Sequence, residues 1–258
     1  AGLEITRLAK IGMHLVSAEL GKVSSLHSVG MDFPFSLPRE FLDFLALKAE
    51  RAGFQEWQEV VVHLIFMPFH PFEHLALLFK KHPKRHTDKS TMVAALSPLH
   101  RGHPSMVQMT FQGMRMLASL NPERYSVVPF HDQGQGRCRV IEVYPRSTLK
   151  CLGLPDSGYK SKDKKEKDKM QSMRHKMLQS ILSLADKAGN SAIRIVLPSK
   201  FEHFIIDSDH ALDALVACYA TALQVQAPQL FADPYQCDSV DVLIEGWIHE
   251  PAKLLART

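Results

Sequence analysis

The chain has 258 residues, of which 45% are hydrophobic and 22% charged, and its formal net charge of +4 does not by itself indicate a nucleic-acid partner. Its four cysteines are scattered without a CxxC pair, which excludes a disulfide framework or a zinc cluster and favours reduced thiols in a cytoplasmic protein. The longest apolar run, residues 60–69, is interrupted by His63 and Pro68 and is too short to span a bilayer, so no membrane partner is expected.

The first candidate acid lies near the end of the second of two predicted N-terminal strands. Residues 3–8 alternate between apolar and polar, as a half-buried strand does, and residues 12–27 can hold a short helix. Residues 29–33 form an apolar run with one acid, Asp32, and prolines end it, which is typical of a buried parallel strand. Because ligands bind at the carboxyl ends of such strands, Asp32 is a candidate site residue; the alternative is an ordinary turn residue.

The middle of the chain is predicted to be mostly helical. Residues 38–53 form a helix with Pro38 at its first position and Gly53 as its C-terminal cap. Residues 60–66 are short and β-branched, which favours a strand or buried segment, although a helix remains open. Residues 72–81 and 106–120 are further predicted helices, the second with an apolar inner side.

Two segments are strongly basic. Residues 80–85 form a basic loop, and residues 159–176 carry eight Lys or Arg against three Asp or Glu, leading into a helix that continues to about residue 188. A solvated surface that aids solubility is one interpretation, and a binding surface for a phosphate backbone is the other. Under the second interpretation the candidate nucleic-acid contacts are Lys84, Arg85, Arg101, Lys160 and Arg174.

Three more acids lie in apolar surroundings. Residues 139–144 are the clearest predicted strand, and its single acid, Glu142, is costly to bury unless it is paired or metal-bound; a satisfied edge-strand Glu is the alternative. Asp209 and Asp213 lie four residues apart at the start of an apolar helix, where like charges destabilise unless a cation lies between them. Asp209 can instead cap the helix. Residues 191–198 and 240–248 are strand-like, and residues 134–137 form a turn.

These acids favour carboxylate chemistry on a hard cation. The sequence contains no P-loop, GxGxxG, HExxH or Ser–His–Asp order that indicates another mechanism. Sites made of carboxylates suit Mg²⁺ or Mn²⁺. Two such ions about 4 Å apart can activate a water molecule and stabilise the leaving oxygen of a phosphodiester.

Five short stretches resemble a known family. They are VGMDFPFSLP, the SPL and VQMTFQGMRML pair, VIEVYPRSTLKCLGLPDSGYK, DHALDALVAC and EGWI, in this order. They are similar to a family of predicted nucleases with a ribonuclease H-like fold, which was catalogued as a domain of unknown function. The resemblance covers roughly residues 3–251. It implies one domain over residues 1–258, with a mixed sheet flanked by helices, a helical insertion at about 54–130 and an acidic two-metal site.

The resemblance also assigns roles to individual acids. Asp32 matches the acid that ends the fourth strand, Glu142 the acid of an E-x-Y-P motif, and Asp209 and Asp213 the acids of the C-terminal helix. Asp32, Glu142 and Asp213 are the implied metal ligands. The family opens with a G-x-D-x-S strand whose Asp is expected to be a principal ligand. This sequence contains no such strand, so we expect the first strand and one ligand to be missing.

Three functions remain open at this point. The first is a metal-dependent nuclease that acts on DNA or RNA, and the second is a non-catalytic nucleic-acid-binding protein with the same fold. The third is a small-molecule phosphotransfer enzyme or hydrolase, which the absence of a Gly-rich phosphate loop disfavours.

Overall fold

The structure is a computed structural model that describes residues 2–23, 27–102, 104–131, 137–161, 163–185 and 193–252. The chain divides into two compact units. Unit 1 comprises Ala1–Lys10, Val143–Ala232 and His249–Thr258, and unit 2 comprises Ile11–Glu142 and Asp233–Ile248. Each unit has its own buried apolar core. Most of the turn predicted at 134–137, the end of the helix predicted to reach residue 188 and the start of the strand predicted at 191–198 lie outside the described residues.

Strands and helices alternate irregularly along the chain. The strands are β1 (Gly2–Glu4), β2 (Ser28–Met31), β3 (Tyr125–Val127), β4 (Cys138–Glu142) and β5 (Arg194–Val196). The helices that precede β3 are α1 (Val16–Gly21), α2 (Arg39–Lys48), α3 (Trp57–Phe66), α4 (Phe69–Leu78), α5 (His86–Ser90) and α6 (Pro104–Ala118). The helices that follow β4 are α7 (Pro145–Cys151), α8 (Lys167–Leu182), α9 (Ser199–Asp207), α10 (Asp209–Gln226) and α11 (Val242–Glu245).

The sheet of unit 2 consists of β2, β4 and β3 in that order, with both pairings parallel. Met31 at the end of β2 pairs with Glu142 at the end of β4. The strands predicted at 29–33 and 139–144 are therefore confirmed, and each ends two residues earlier than predicted. Because all three strands run in the same direction, their carboxyl ends lie at one edge of the sheet.

The strand favoured at 60–66 is wrong, because these residues belong to α3. Trp57, Val60, Val61 and Leu64 are buried, and their spacing of three and four residues places them on one face of a helix. A short run of β-branched residues has no clear period, so burial against neighbouring elements decides its conformation.

The ends of α2 also differ from the prediction. Pro38 is the extended N-cap of this helix and not its first helical residue. The helix stops at Lys48, well before the expected cap at Gly53. Glu50, just after the helix, adopts a positive φ of 51°. The buried apolar side of α2 consists of Phe41, Leu42, Leu45 and Ala46, whereas Ala49, which the sequence pattern also placed on this side, is exposed.

Aromatic rings hold the core of unit 2 together. The ring of Phe72 in α4 lies 5.9 Å from that of Phe41 in α2 and 4.9 Å from that of Phe111 in α6. The indole nitrogen of Trp57 donates to the carbonyl of Phe35 at 2.9 Å, so its one polar atom is satisfied in the core. These contacts join α4 to α2 and α6, and α3 to the segment that follows β2.

The described part of unit 1 contains a parallel pair of strands and the helices α7 to α10. Leu3 of β1 pairs with Ile195 of β5, which confirms the strands predicted at 3–8 and 191–198 in shorter form. Helix α10 packs against α7 and α9, and α8 packs against α9. The Tyr219 hydroxyl of α10 accepts a hydrogen bond from the amide of Ile193 at 3.2 Å, just before β5.

The strand predicted at 240–248 is also wrong. These residues form the single turn α11, and the amide of Glu245 donates to the carbonyl of Asp241 at 2.7 Å. Ile248 alone joins the sheet, as a bridge to Glu142. Gly246 has a φ of +90°, which breaks the extended run and favours glycine at this position.

The described architecture is a mixed α/β protein with helices around small parallel sheets, which confirms the α/β class predicted from the sequence. Among the described helices, none is long and apolar enough by itself to cross a membrane, although the bent pair α3–α4 passes that test by length and composition.

Candidate active site

Two of the predicted acids lie at the carboxyl ends of neighbouring parallel strands. Asp32 directly follows Met31, the residue of β2 that pairs with Glu142 of β4. The Asp32 side chain is exposed, whereas Glu142 is buried with 3% of its surface accessible. This edge of a parallel sheet is where α/β proteins commonly bind ligands. The structure thus brings Asp32 and Glu142 to one edge of the unit 2 sheet.

Glu142 is fully engaged by protein groups. Its two oxygens accept hydrogen bonds from the two terminal nitrogens of Arg85, at 2.6 and 2.8 Å. One oxygen also accepts the backbone amide of Phe35 at 2.9 Å. Burial raises the pKa of Glu142, and the Arg85 guanidinium opposes that rise. Through the Phe35 amide, Glu142 anchors the loop that begins at Asp32.

Arg85 is the centre of a buried set of charges. It is 1% exposed and donates to both oxygens of Asp88 as well as to Glu142. Burial alone would lower the pKa of Arg85, but Asp88 and Glu142 together raise it above its ordinary value. The guanidinium therefore stays charged and has two carboxylates as partners.

Glu245 is a buried acid that the sequence analysis did not include in the site. It is 5% exposed, and its two oxygens accept the amides of Arg39 at 2.6 Å and His86 at 2.7 Å. These are the first residues of α2 and α5, where a negative charge is favourable. Burial raises the pKa of Glu245, and the two amides oppose that rise. The acid within the EGWI stretch was the signal that could have identified it.

Gly246 lies next to the buried charged groups Arg85 and Glu142. A Cβ at this position would lie 3.1 Å from the Phe130 ring, 3.5 Å from Arg85 and 3.7 Å from Glu142. The backbone carbonyl of Glu245 also accepts a hydrogen bond from Arg85 at 3.3 Å. A Cβ here would crowd the Phe130 ring but make only ordinary contacts with Arg85 and Glu142, so the positive φ is the main reason for glycine.

Asp213 of unit 1 lies in α10, one turn after Asp209. It is 7% exposed, and its oxygens bind the Tyr159 hydroxyl at 2.9 Å and the Lys160 ammonium at 2.5 Å. Half of the Lys160 side chain is exposed, so this ion pair opens to solvent on the lysine side. Because a lysine side chain is flexible, a cation could displace Lys160 from the Asp213 carboxylate.

Asp209 does not cap α10. The N-cap is Ser208, whose hydroxyl accepts the amide of Ala211 at 3.3 Å. Asp209 is the first residue of the helix and is half-buried, where the helix dipole favours its charge. Of the alternative interpretation of Asp209, as an N-cap and first-turn acid, the capping part is wrong and the first-turn part is confirmed.

The five predicted nucleic-acid contacts fall into two groups. Arg85 and Arg174 are buried; Arg174 donates to the carbonyls of Ile206 at 2.5 Å and Tyr159 at 2.8 Å. Lys84, Arg101 and Lys160 reach the surface, and Arg101 also donates to a backbone carbonyl of α4. Only the second group can contact a phosphate backbone without losing buried partners. All five assignments stay predictions.

The predicted metal ligands differ in how well they suit a hard cation. Asp32 offers an exposed carboxylate, which fits. The oxygens of Glu142 and of Asp213 already bind protein donors, so neither residue fits an ion without giving up those bonds. Within the described ranges, no group of three or more His, Cys, Asp or Glu side chains is arranged to hold a metal ion. Ligation by Asp32, Glu142 and Asp213 stays a prediction.

The fold and these residues define an α/β protein with carboxylates at the ends of parallel strands. Residues 9–234 match a family described as a protein of unknown function, DUF429. Because this match spans most of the sequence, the chain belongs to that family. Comparisons with curated proteins and with solved structures found no match.

Proposed function

We propose that this protein is a metal-dependent nuclease with a ribonuclease H-like fold, as the sequence resemblance implies. The observation that carries the proposal is the placement of Asp32 and Glu142 at adjacent carboxyl ends of β2 and β4. Asp32 is exposed there, and the loop that follows it is fixed by Glu142. An exposed carboxylate on a fixed backbone at this edge suits the binding of a phosphodiester substrate through a cation.

The buried residues act as positioning residues in this proposal. Glu142 binds the Phe35 amide, and Arg85 orients the Glu142 carboxylate through hydrogen bonds to both of its oxygens. Glu245 fixes the starts of α2 and α5 through its carboxylate, and its backbone carbonyl accepts a hydrogen bond from Arg85. Because the oxygens of Glu142 already bind protein donors, we assign no reaction step to Mg²⁺ or Mn²⁺.

The proposal is tested by cleavage of single-stranded DNA, duplex DNA and RNA in Mg²⁺, Mn²⁺ or EDTA. Asp32→Asn removes the charge with little change in size, and we expect it to abolish cleavage. Glu123→Gln is the matched control, because Glu123 is an exposed acid of unit 2 in the turn before β3. Cleavage by Asp32→Asn at the rate of the control would overturn the proposal.

A second candidate is a nucleic-acid-binding protein without catalysis. The observation that favours it is that Arg85 and Lys160 already supply the positive charge at Glu142 and Asp213. Exposed lysines at the start of α8 add a surface for phosphates, among them Lys167 and Lys169. This candidate predicts binding that weakens steeply with salt and no cleavage in any metal. Metal-dependent cleavage that requires Asp32 would exclude it.

A further inference from the structure

A groove in unit 2 lies between α6 and the segment formed by the 3-10 turn Met13–Leu15 and α1. Its volume is about 440 Å³, which lies within the usual range of small-ligand sites, about 300–1,000 Å³. Gln108, Gln112 and Arg115 follow one face of α6, at spacings of four and three residues. His14 and Ser17 line the opposite side.

The groove has the charge of an anion site. Arg115 is its permanent cation, and none of its eight described lining residues is acidic. Another cavity of unit 2, of about 270 Å³, is different, because Asp241 and Glu245 lie there among the basic residues. Arg115 also lies 5.4 Å from the centre of the Phe111 ring, a contact that orients the guanidinium. A guanidinium suits a phosphate because it can donate two hydrogen bonds to it.

The remaining lining suits a nucleobase. The side-chain amides of Gln108 and Gln112 are exposed, and each presents a donor and an acceptor, the pattern that pairs with the edge of a base. Met13 and Met116 add polarizable apolar surface that can lie against a flat ring. A phosphate-binding cation and base-binding amides therefore lie along one helix face.

We propose that this groove binds a nucleotide unit, with Arg115 on its phosphate and Gln108 and Gln112 on its base. The inference rests on the proposed function, because it names the part of a nucleic acid that unit 2 binds through residues other than the strand-end acids. A free nucleotide and a nucleotide within a single strand share this chemistry.

Equilibrium binding in EDTA tests the inference without turnover. Fluorescein-labelled 12-nucleotide strands of dA, dC or dT are titrated at three salt concentrations, and fluorescence anisotropy is measured. We expect Arg115→Gln to weaken binding about tenfold, because a charge-assisted bond is lost, and to lower the salt slope by about 0.7. The control Lys48→Gln removes an exposed cation on α2 and should stay within about twofold of the wild type.

Two more variants separate phosphate binding from base binding. Arg115→Lys keeps the charge and should retain most of the salt slope; it also serves if circular dichroism shows that Arg115→Gln does not fold. Gln112→Ala should change the ratio of dA to dC affinity by about threefold or more and leave the salt slope unchanged. An unchanged affinity and slope in both Arg115 variants would overturn the inference.

Competition identifies the source of the nucleotide. Displacement of the labelled strand by adenosine monophosphate, but only weakly by inorganic phosphate, supports a site that also takes free nucleotides. Displacement by an unlabelled strand alone supports a site that needs the polymer. Equal displacement by phosphate and by the mononucleotide would overturn the inference, because the base would then contribute nothing.

The outcome for the groove is separable from that for catalysis. Arg115-dependent binding by a protein that never cleaves would leave the groove assignment standing and overturn the nuclease proposal. Cleavage by the wild type, together with wild-type affinity of Arg115→Gln, would support the nuclease proposal and overturn the groove assignment.

Discussion

At the scale of single residues, the charges around Arg85 show how unit 2 tolerates buried acids. Glu142 and Asp88 are almost completely buried, yet each accepts hydrogen bonds from the same guanidinium. A buried carboxylate is costly unless it is paired and hydrogen-bonded. From the sequence, a buried Glu142 needs either an ion pair or a metal ion. In this structure its partner is Arg85, from the basic loop 80–85 that is also a candidate nucleic-acid contact.

Replacement of Arg85 tests this pairing. Arg85→Met should lower the free energy of unfolding by about 3–5 kcal/mol, because two buried carboxylates lose their cation. Arg101→Met is the matched control, since Arg101 is exposed and makes one bond to a backbone carbonyl, and should cost less than about 1 kcal/mol. Urea denaturation measures both. Adding Asp88→Asn to Arg85→Met should recover part of the loss, and a loss in Arg85→Met no larger than in the control would contradict the account.

His63 on α3 makes stability depend on pH. Burial lowers the pKa of His63, and the charge of Arg51 lowers it further. The unfolded chain therefore takes up a proton more readily than the folded protein, so acidification through the ordinary histidine range, about pH 6.5, should reduce stability. His63→Gln should lose part of the decrease between pH 7.5 and pH 5.5, as followed by urea midpoints. The exposed His74→Gln should keep the wild-type decrease.

At the scale of elements, α6 approaches the loop after β2 unusually closely. A Cβ on Gly113 would lie 2.4 and 2.5 Å from two carbons of the buried Phe33 ring. Phe33 directly follows Asp32, so the absence of a side chain on α6 determines where the strand-end loop runs. The sequence predicted the helix from its apolar period but gave no reason for a glycine within it.

Gly113→Ala should therefore destabilise the protein although alanine favours helices. We expect a loss of about 1–3 kcal/mol from the forced movement of Phe33, which outweighs a gain in helix propensity of about 1 kcal/mol. Gly21→Ala at the end of α1 is the control, because nothing lies within 4 Å of its Cβ, and it should be neutral or stabilising. Thermal and urea unfolding provide the comparison. Equal effects of the two changes would show that Phe33 moves at no cost.

At the scale of the whole molecule, the two cores determine which groups solvent can reach. Cys138 and Cys151 are buried, Cys218 is exposed and Cys237 is half-buried, and all four are free thiols. This agrees with the reduced cysteines predicted from their spacing. Burial also raises the pKa of the Cys138 thiol, which lowers the thiolate available for reaction.

Thiol labelling tests this distribution. In the native protein Cys218 and Cys237 should react with a soluble disulfide reagent well before Cys138 and Cys151, and all four should react in urea. The melting temperature should be the same with and without reductant, because the four thiols are free. A lower melting temperature in reductant, or labelling of Cys138 as fast as Cys237, would contradict the structure.

The sequence by itself determined the α/β class, the strands that carry Asp32 and Glu142, and the helix that carries Asp213. Each has a clear local signal, either an apolar run that ends at proline or an apolar face with helical period. The sequence did not determine the partners of these acids, because Arg85 is 57 residues from Glu142 and Tyr159 is 54 residues from Asp213. No local pattern encodes such pairs.

Only the tertiary structure decided the conformations of residues 60–66 and 240–248 and the role of Glu245. In the first stretch, burial selected a helix where composition favoured a strand. In the second stretch, the chain turns at Gly246 and does not continue as the expected strand. The Glu245 carboxylate binds the first amides of α2 and α5. The physical reason is that burial and charge compensation depend on contacts between distant segments, whereas period and propensity depend on neighbours in the chain.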